Sequence, residues 1–243
     1  MKTGIFTLKE NKKIAKNTYE WVLTGDTSDV TASGQFVNIK LDGFYLRRPI
    51  SVCDVEGDEL TLIFKAVGAG TEMMAEAETG EEFDVMTGLG NGYDLTKAGD
   101  TPLLIGGGAG VPPMYLLARR LAALGKKITV ILGFGSADEV FYKEKFEALG
   151  CKVIVATADG TMGVKGFVTD AMAGLEYSYF YTCGPEPMLK AIYDKSTSDG
   201  EFSFEERMGC GFGACMGCTC ETKYKYKRIC RDGPVLTKEE IVW

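Results

Sequence analysis

Two rhythms of apolar and polar positions divide the chain. Up to about residue 98 the apolar residues come in short alternating or β-branched runs, at 20–25, 34–41, 47–67 and 81–88. Gly, Asp and Asn separate these runs at the spacing of a small barrel. One helix interrupts them at 70–78, with Thr71 expected as its N-cap. Beyond Asp100 the period lengthens. A buried strand at 101–105 runs into a glycine turn, and a helix follows at 111–125 with prolines in its first turn and Gly125 past its end. Strands at 126–135, 152–160 and 178–184 then alternate with helices at 137–150, 167–174 and 185–196, and 201–207 can add one more strand. Such alternation builds a parallel, doubly wound α/β sheet. The last stretch is too short and too rich in glycine to form a core alone, so a metal or a neighbouring domain has to order it. The expected division is therefore a β barrel at 1–98, an α/β domain at 99–204 and a small C-terminal segment at 205–243.

Composition narrows the field of functions. The chain has 243 residues, 45% of them hydrophobic and 25% charged, which gives room for two domains and a small third. A net charge of −7 offers no basic field for nucleic acid. The basic run Lys223, Lys225, Lys227 and Arg228 reads as a solvated or partner-facing strand. The first residues hold no apolar stretch of the secretion-signal kind. The longest uncharged run, 101–118, carries four glycines and three prolines and does not read as a membrane helix. A reducing, cytoplasmic setting is expected, where clustered cysteines mean metal or redox chemistry rather than disulfides. There is no histidine. That excludes Ser-His-Asp and Cys-His catalytic units, histidine-bearing zinc sites and Rieske centres, and leaves chemistry to a cofactor, a thiol or a carboxylate.

The thiols themselves are grouped. Five of the eight cysteines lie in 206–230, and Cys210, Cys215 and Cys218 follow the spacing C-x4-C-x2-C, with Cys230 downstream. This is the plant-type ligand spacing of a [2Fe–2S] cluster. Three thiolates from one loop must converge on a small inorganic core, and Gly209, Gly211, Gly213 and Gly217 let the backbone wrap around it. A four-cysteine zinc site is the competing reading, although such sites usually pair two C-x2-C knuckles. Cys220, two residues past Cys218, is expected to point away if that stretch is extended.

Four further motifs suit a nucleotide cofactor. In "RRPIS", 47–51, a cation stands beside a strand-borne hydroxyl, which fits a flavin diphosphate and the isoalloxazine edge. In "IFKAVGAGT", 63–71, a Gly-Thr turn opens a helix whose N–H groups favour phosphate. An ordinary barrel strand and a capped helix would look the same. "GGGAGVPP", 106–113, departs from the usual dinucleotide fingerprint but lies where an open α/β sheet binds its ligands. "TCGPEPM", 182–188, would face the same crevice, with Cys183 either a small buried hydrophobe or a neighbour of a nicotinamide. No cation follows the second strand at "GFGSADE", which favours NADH over NADPH.

Taken together, the order of these motifs resembles the ferredoxin–NADP reductase superfamily. In particular it resembles the family of electron transfer subunits of NAD-dependent (type B) dihydroorotate dehydrogenase. "GQFV", "RRPIS", "GAGT", "GLGNGYDL", "GGGAGVPPMYLLA", "CGPEPML" and "ERMGCGFGACMGCTCE…CRDGPV" carry the resemblance from end to end. It implies an FAD-binding barrel, an NAD-binding α/β domain and a C-terminal [2Fe–2S] segment. FAD is implied at Arg48, Pro49, Ile50, Ser51, Ile63, Phe64, Lys65, Gly70 and Thr71. NAD is implied at Gly106, Gly107, Gly108, Gly110 and Gly184, with Cys183 as the candidate catalytic thiol. The cluster ligands fall on Cys210, Cys215, Cys218 and Cys230, with a short spacer of eleven residues between the last two.

The resemblance also implies a partner, a dihydroorotate dehydrogenase catalytic subunit in a heterotetramer, and a place in pyrimidine biosynthesis. The chain shows no base able to deprotonate dihydroorotate, so substrate oxidation belongs to that partner and its own flavin. Two rivals stand beside this reading. One is a flavin–cluster subunit of another complex, of the ferredoxin-dependent transhydrogenase or sulfhydrogenase type. The other is a zinc-stabilised binding module that has lost its flavin.

Overall fold

The computed structural model describes residues 1–243. Six strands close an antiparallel barrel in the order β1-β2-β5-β4-β3-β6. They are β1 (Lys2–Ala15), β2 (Thr18–Thr24), β3 (Phe36–Ile39), β4 (Arg48–Glu56), β5 (Glu59–Lys65) and β6 (Glu82–Leu89). Alternate residues turn inward, so Phe6, Leu8, Trp21, Leu23, Val37, Ile39, Val52, Leu60, Leu62, Phe64 and Val85 fill its interior. β1 was not among the runs expected from the sequence. Its outward positions are mostly charged or polar and only Phe6 and Leu8 are fully buried, which weakens the apolar signal.

Helix α1 (Ala69–Glu76) caps this barrel and corrects one expectation. Gly68, not Thr71, is its N-cap. Thr71 stands in the first turn, where its Oγ1 accepts hydrogen bonds from the N–H groups of Val67 at 3.0 Å and Gly68 at 3.2 Å. The hydroxyl thus reaches back to close the turn, which is the work of the third helical position rather than of the cap.

The second body is a seven-stranded sheet in the order β10-β9-β8-β7-β11-β12-β15. Its members are β7 (Leu103–Gly107), β8 (Thr129–Phe134), β9 (Lys152–Thr157), β10 (Val164–Lys165), β11 (Phe180–Cys183), β12 (Gly200–Ser203) and β15 (Val235–Thr237). All pairings are parallel except β12 with β15. Helices α2 (Val111–Ala123) and α3 (Lys143–Ala148) cover one face, and α4 (Val168–Ala171) and α5 (Glu186–Lys195) the other. The helix expected over 137–150 is broken. Residues Ala137–Glu139 form a 3-10 turn, Tyr142 takes a φ of 66°, and only Lys143–Ala148 is helical. The Tyr142 hydroxyl donates to Glu20 of the barrel and lies 3.0 Å from the Lys145 ammonium. A tertiary contact has therefore overridden the local helical pattern.

Helix α2 joins the two bodies. Met114, Leu117 and Leu121 pack on the sheet, while Leu116 enters the barrel core. Arg119 adds an ion pair to Asp54 of β4 at 3.0 Å. The C-terminal segment wraps back over both. Strands β13 (Thr219–Glu221) and β14 (Tyr226–Arg228) form a hairpin, α6 (Ile229–Asp232) follows, and β15 completes the sheet edge. Its Cys218, Ile229 and Cys230 are buried in one apolar cluster with Phe36 and Met86 of the barrel and Ile105 and Phe202 of the sheet. No helix is long and apolar enough to cross a membrane.

Candidate redox site

One large cleft, of about 750 Å³, is walled by all three parts of the chain. The barrel supplies Leu46, Arg47, Arg48 and Pro49, the sheet supplies Gly184–Glu186 at the end of β11, and the C-terminal part supplies 204–208, Cys220 and Trp243. These elements meet because β3 and β4 turn the outward partners Asn38–Pro49 and Phe36–Ser51 toward the segment that covers them.

The two arginines at the cleft mouth differ. Arg47 is spent on the barrel, forming a bidentate pair with Asp84 at 3.0 Å. Arg48 makes no ion pair. Its guanidinium lies 4.5 Å from the Phe44 ring centroid, and a Cβ on Gly70 would collide with it. Its Nη1 donates to the Leu46 carbonyl at 2.6 Å, and no carboxylate neutralises it, so a cation stands against the first turn of α1, where N–H groups and the helix dipole also favour an anion. Ile50 lies on the barrel core while Ser51 is half-buried on the outward side. On β5, Ile63 and Lys65 face outward, whereas the Phe64 ring turns into the barrel at 5.4 Å from Trp21 and leaves only its main chain to a ligand.

A narrower pocket joins Thr18, Ile63 and Lys65 of the barrel to Gly108, Ala109, Phe134, Glu139 and Phe141 of the sheet. Gly108 takes a φ of +52° and has open space where a side chain would be, so its peptide is presented to that pocket. Gly110 is constrained differently, since a Cβ there would strike the Cys183 carbonyl. Gly107 and Gly184 both close on Met188. The turns after β7 and β11 therefore touch, as adjacent parallel strands require. Lys65 pairs with Glu139 at 3.3 Å, so an acidic group stands at the end of the second strand. Cys183 is half-buried, and burial pushes its thiol up to about 12 despite a contact with Ser203. It stays protonated at neutral pH, which leaves a neutral sulfur rather than a nucleophile.

The four cysteines of the loop pair two and two. The Cys215 N–H approaches the Cys210 sulfur at 3.4 Å, and the Cys230 N–H approaches the Cys218 sulfur at 3.4 Å. Two pairs match the demand of two irons, each taking two thiolates. The pairs differ in environment. Cys218 and Cys230 are each 1% exposed, while Cys210 and Cys215 are half-buried. Burial raises the Cys210 thiol, but the N–H groups of Cys215, Phe212 and Ala214 aimed at its sulfur outweigh it and bring it down to about 6. Burial, with Cys218 beside it, pushes Cys230 up to about 12. Cys220 is set apart: it faces the cleft, and burial and then Glu206 raise its thiol. Sequence reasoning missed the cleft residues 204–208, Trp243 and Asn38. Only Glu206 and Arg207, just ahead of Met208 and the first glycine of the loop, offered a positional hint.

Residues 205–242 match the iron–sulfur cluster binding domain of dihydroorotate dehydrogenase B, and residues 104–194 match the oxidoreductase NAD-binding domain. The chain is 45% identical to the electron transfer subunit of dihydroorotate dehydrogenase B (NAD(+)) of Fusobacterium nucleatum, with 99% of each chain covered. It is 47% identical to the corresponding subunit of Bacillus mycoides, with 95% of each covered. Among solved structures it is similar to an NADH-dependent reduced ferredoxin–NADP oxidoreductase (TM-score 0.90, 28% identity, 99% of this chain and 90% of that one). A ferredoxin NADP+ reductase from Neisseria gonorrhoeae with bound FAD and NADP shares the fold (TM-score 0.70, 15% identity, 80% of this chain and 90% of that one).

Proposed function

The chain belongs to the family of electron transfer subunits of dihydroorotate dehydrogenase B (NAD(+)), and from that membership we propose how its own residues carry the transfer. Its work is to pass electrons between a catalytic subunit and NAD+ through a [2Fe–2S] cluster and FAD, in pyrimidine biosynthesis. A nicotinamide exchanges two electrons as a hydride and a cluster exchanges one, and FAD, when bound, does both.

The protein's part is placement. Arg48 and the first turn of α1, at Gly70 and Thr71, hold the FAD diphosphate. Pro49, Ile50 and Ser51, with Ile63, Lys65 and the main chain of Phe64, bed the rest of the flavin. The turn Gly106–Gly110 presents its peptides to the NAD diphosphate, and Gly184 lets the neighbouring turn close on it. Cys183 supplies a neutral sulfur beside the nicotinamide. Cys210 with Cys215 hold one iron, and Cys218 with Cys230 the other.

The single observation that carries this reading is the cleft itself. Arg48 and Pro49 of the proposed flavin site, Gly184 of the proposed nicotinamide turn and residues 204–208, which lead into Cys210, share its walls, and this supports sites that lie close together. The donor sets also fit their groups: a guanidinium with no carboxylate partner on a helix start for a diphosphate, and two thiol pairs for two irons. We divide the chain at 1–98, 99–204 and 205–243 for FAD, NAD and the cluster. We place the protein in a reducing, cytoplasmic setting, where grouped cysteines serve metal and redox chemistry.

The partner is the dihydroorotate dehydrogenase catalytic subunit, and we place two chains of each kind in the complex. That subunit's own flavin oxidises dihydroorotate, since this chain offers no base for it. Co-expression of the two chains tests the assignment. They should elute together, and the complex should reduce NAD+ when given dihydroorotate. Separate elution with no NADH formed contradicts it, and reduction of ferredoxin in its place would identify a transhydrogenase-type subunit.

A further inference from the structure

Asn38 is a polar side chain in an apolar place. All four residues of β3 are buried, and Asn38 is 2% exposed. Val37 and Ile39 fill the barrel, and Phe36 packs in the cluster that holds Cys218 and Cys230. Burying an amide costs stability unless its hydrogen bonds are met. Here they are met only in part: Nδ2 donates to the main-chain oxygen of Cys210 at 3.5 Å, while Oδ1 is buried without a partner. An apolar residue would fill the site more cheaply, so the amide has another use.

Its surroundings indicate the use. Gly211 has a φ of +76°, and a Cβ on it would run into the Asn38 amide. The turn at the first proposed ligand is thus seated on this side chain. On the strand side, Asn38 is the direct partner of Pro49 in "RRPIS". Its carbonyl accepts from Arg47 Nη1 at 3.3 Å, and Arg47 is itself clamped by Asp84. One residue therefore touches the cluster loop with its amide and the flavin strand with its backbone.

We propose that Asn38 is a positioning residue for electron transfer. Its amide fixes the turn Cys210–Gly211 on the flavin-binding strand, and so fixes the separation across which one electron passes as flavin is oxidised and cluster reduced. The proposal rests on the flavin–cluster reading above.

The test compares Asn38→Leu with the wild type in the assembled holoenzyme. Flavin reduction by NADH is followed in stopped flow, then transfer from flavin to cluster, the second rate being normalised to bound iron. The first rate and the melting temperature should stay close to wild type, the second rate should fall severalfold, and the electron paramagnetic resonance spectrum of the reduced cluster should change in line shape. Gly211→Ala, which pushes a methyl group at the amide, should reproduce the slowed second step. Should Asn38→Leu fail to hold iron, Asn38→Ser, too short to reach Cys210, carries the same readout. Iron-loaded variants with unchanged transfer rate and spectrum overturn the role of Asn38 alone. A wild-type protein without iron refutes the underlying cluster assignment instead.

Discussion

Single side chains in the cysteine loop differ more in environment than their shared chemistry implies. Cys215 belongs to a thiol pair, whereas Cys220, five residues on, looks into the cleft beside Glu206. Replacing Cys215 with Ser should therefore empty the loop of iron, from about two per chain to well below that. Cys220→Ser should leave iron content unchanged. Iron lost from the second variant and kept in the first would reverse the ligand assignment. The sequence spacing picked out three of the four ligands proposed here, Cys210, Cys215 and Cys218, because C-x4-C-x2-C is a chemical constraint written in chain order, and the family resemblance supplied Cys230. Asn38 was not legible. Nothing local marks it, and its meaning comes from Cys210, 172 positions away.

Elements were legible where pattern and packing agreed. The prolines opening α2 and Gly125 beyond its end bracket the helix as expected. The break at Tyr142 and the short edge strand β15 were not, since one follows from a reach to Glu20 and the other is three residues long. A buried charge in β12 shows the same dependence on tertiary context. Glu201 is 3% exposed and accepts from the Asp94 N–H at 2.9 Å, tying the barrel-to-sheet connection to the sheet edge, with Lys97 3.8 Å away. Burial raises its carboxyl from 4.5 to about 7. The folded state thus holds this proton more tightly than the unfolded chain. Its stabilising share is complete below pH 4.5 and is lost as pH rises through about 7. Glu201→Gln keeps the acceptor and removes the titration. The difference in melting temperature, variant minus wild type, should grow as pH rises from about 5 to 8. A difference that stays flat across that range would show that Glu201 does not titrate there.

At the scale of the whole molecule, the cluster segment is not an appended ferredoxin. Its Cys218 and Cys230 sit in an apolar cluster with residues of both larger bodies, and its last strand is part of the sheet. Barrel, sheet and segment thus form one frame, with the cleft where they meet. The central claim is that electrons cross this frame between cluster and nicotinamide by way of the flavin, a path that NADH can drive in reverse. An anaerobic titration with NADH tests it most directly, with the flavin band followed by absorbance and the cluster by electron paramagnetic resonance. Uptake of about 1.5 NADH per chain is expected, two electrons for the flavin and one for the cluster, with the cluster signal rising as the flavin bleaches. Flavin bleaching at one NADH per chain, with the iron present but left oxidised even in excess NADH, would contradict it.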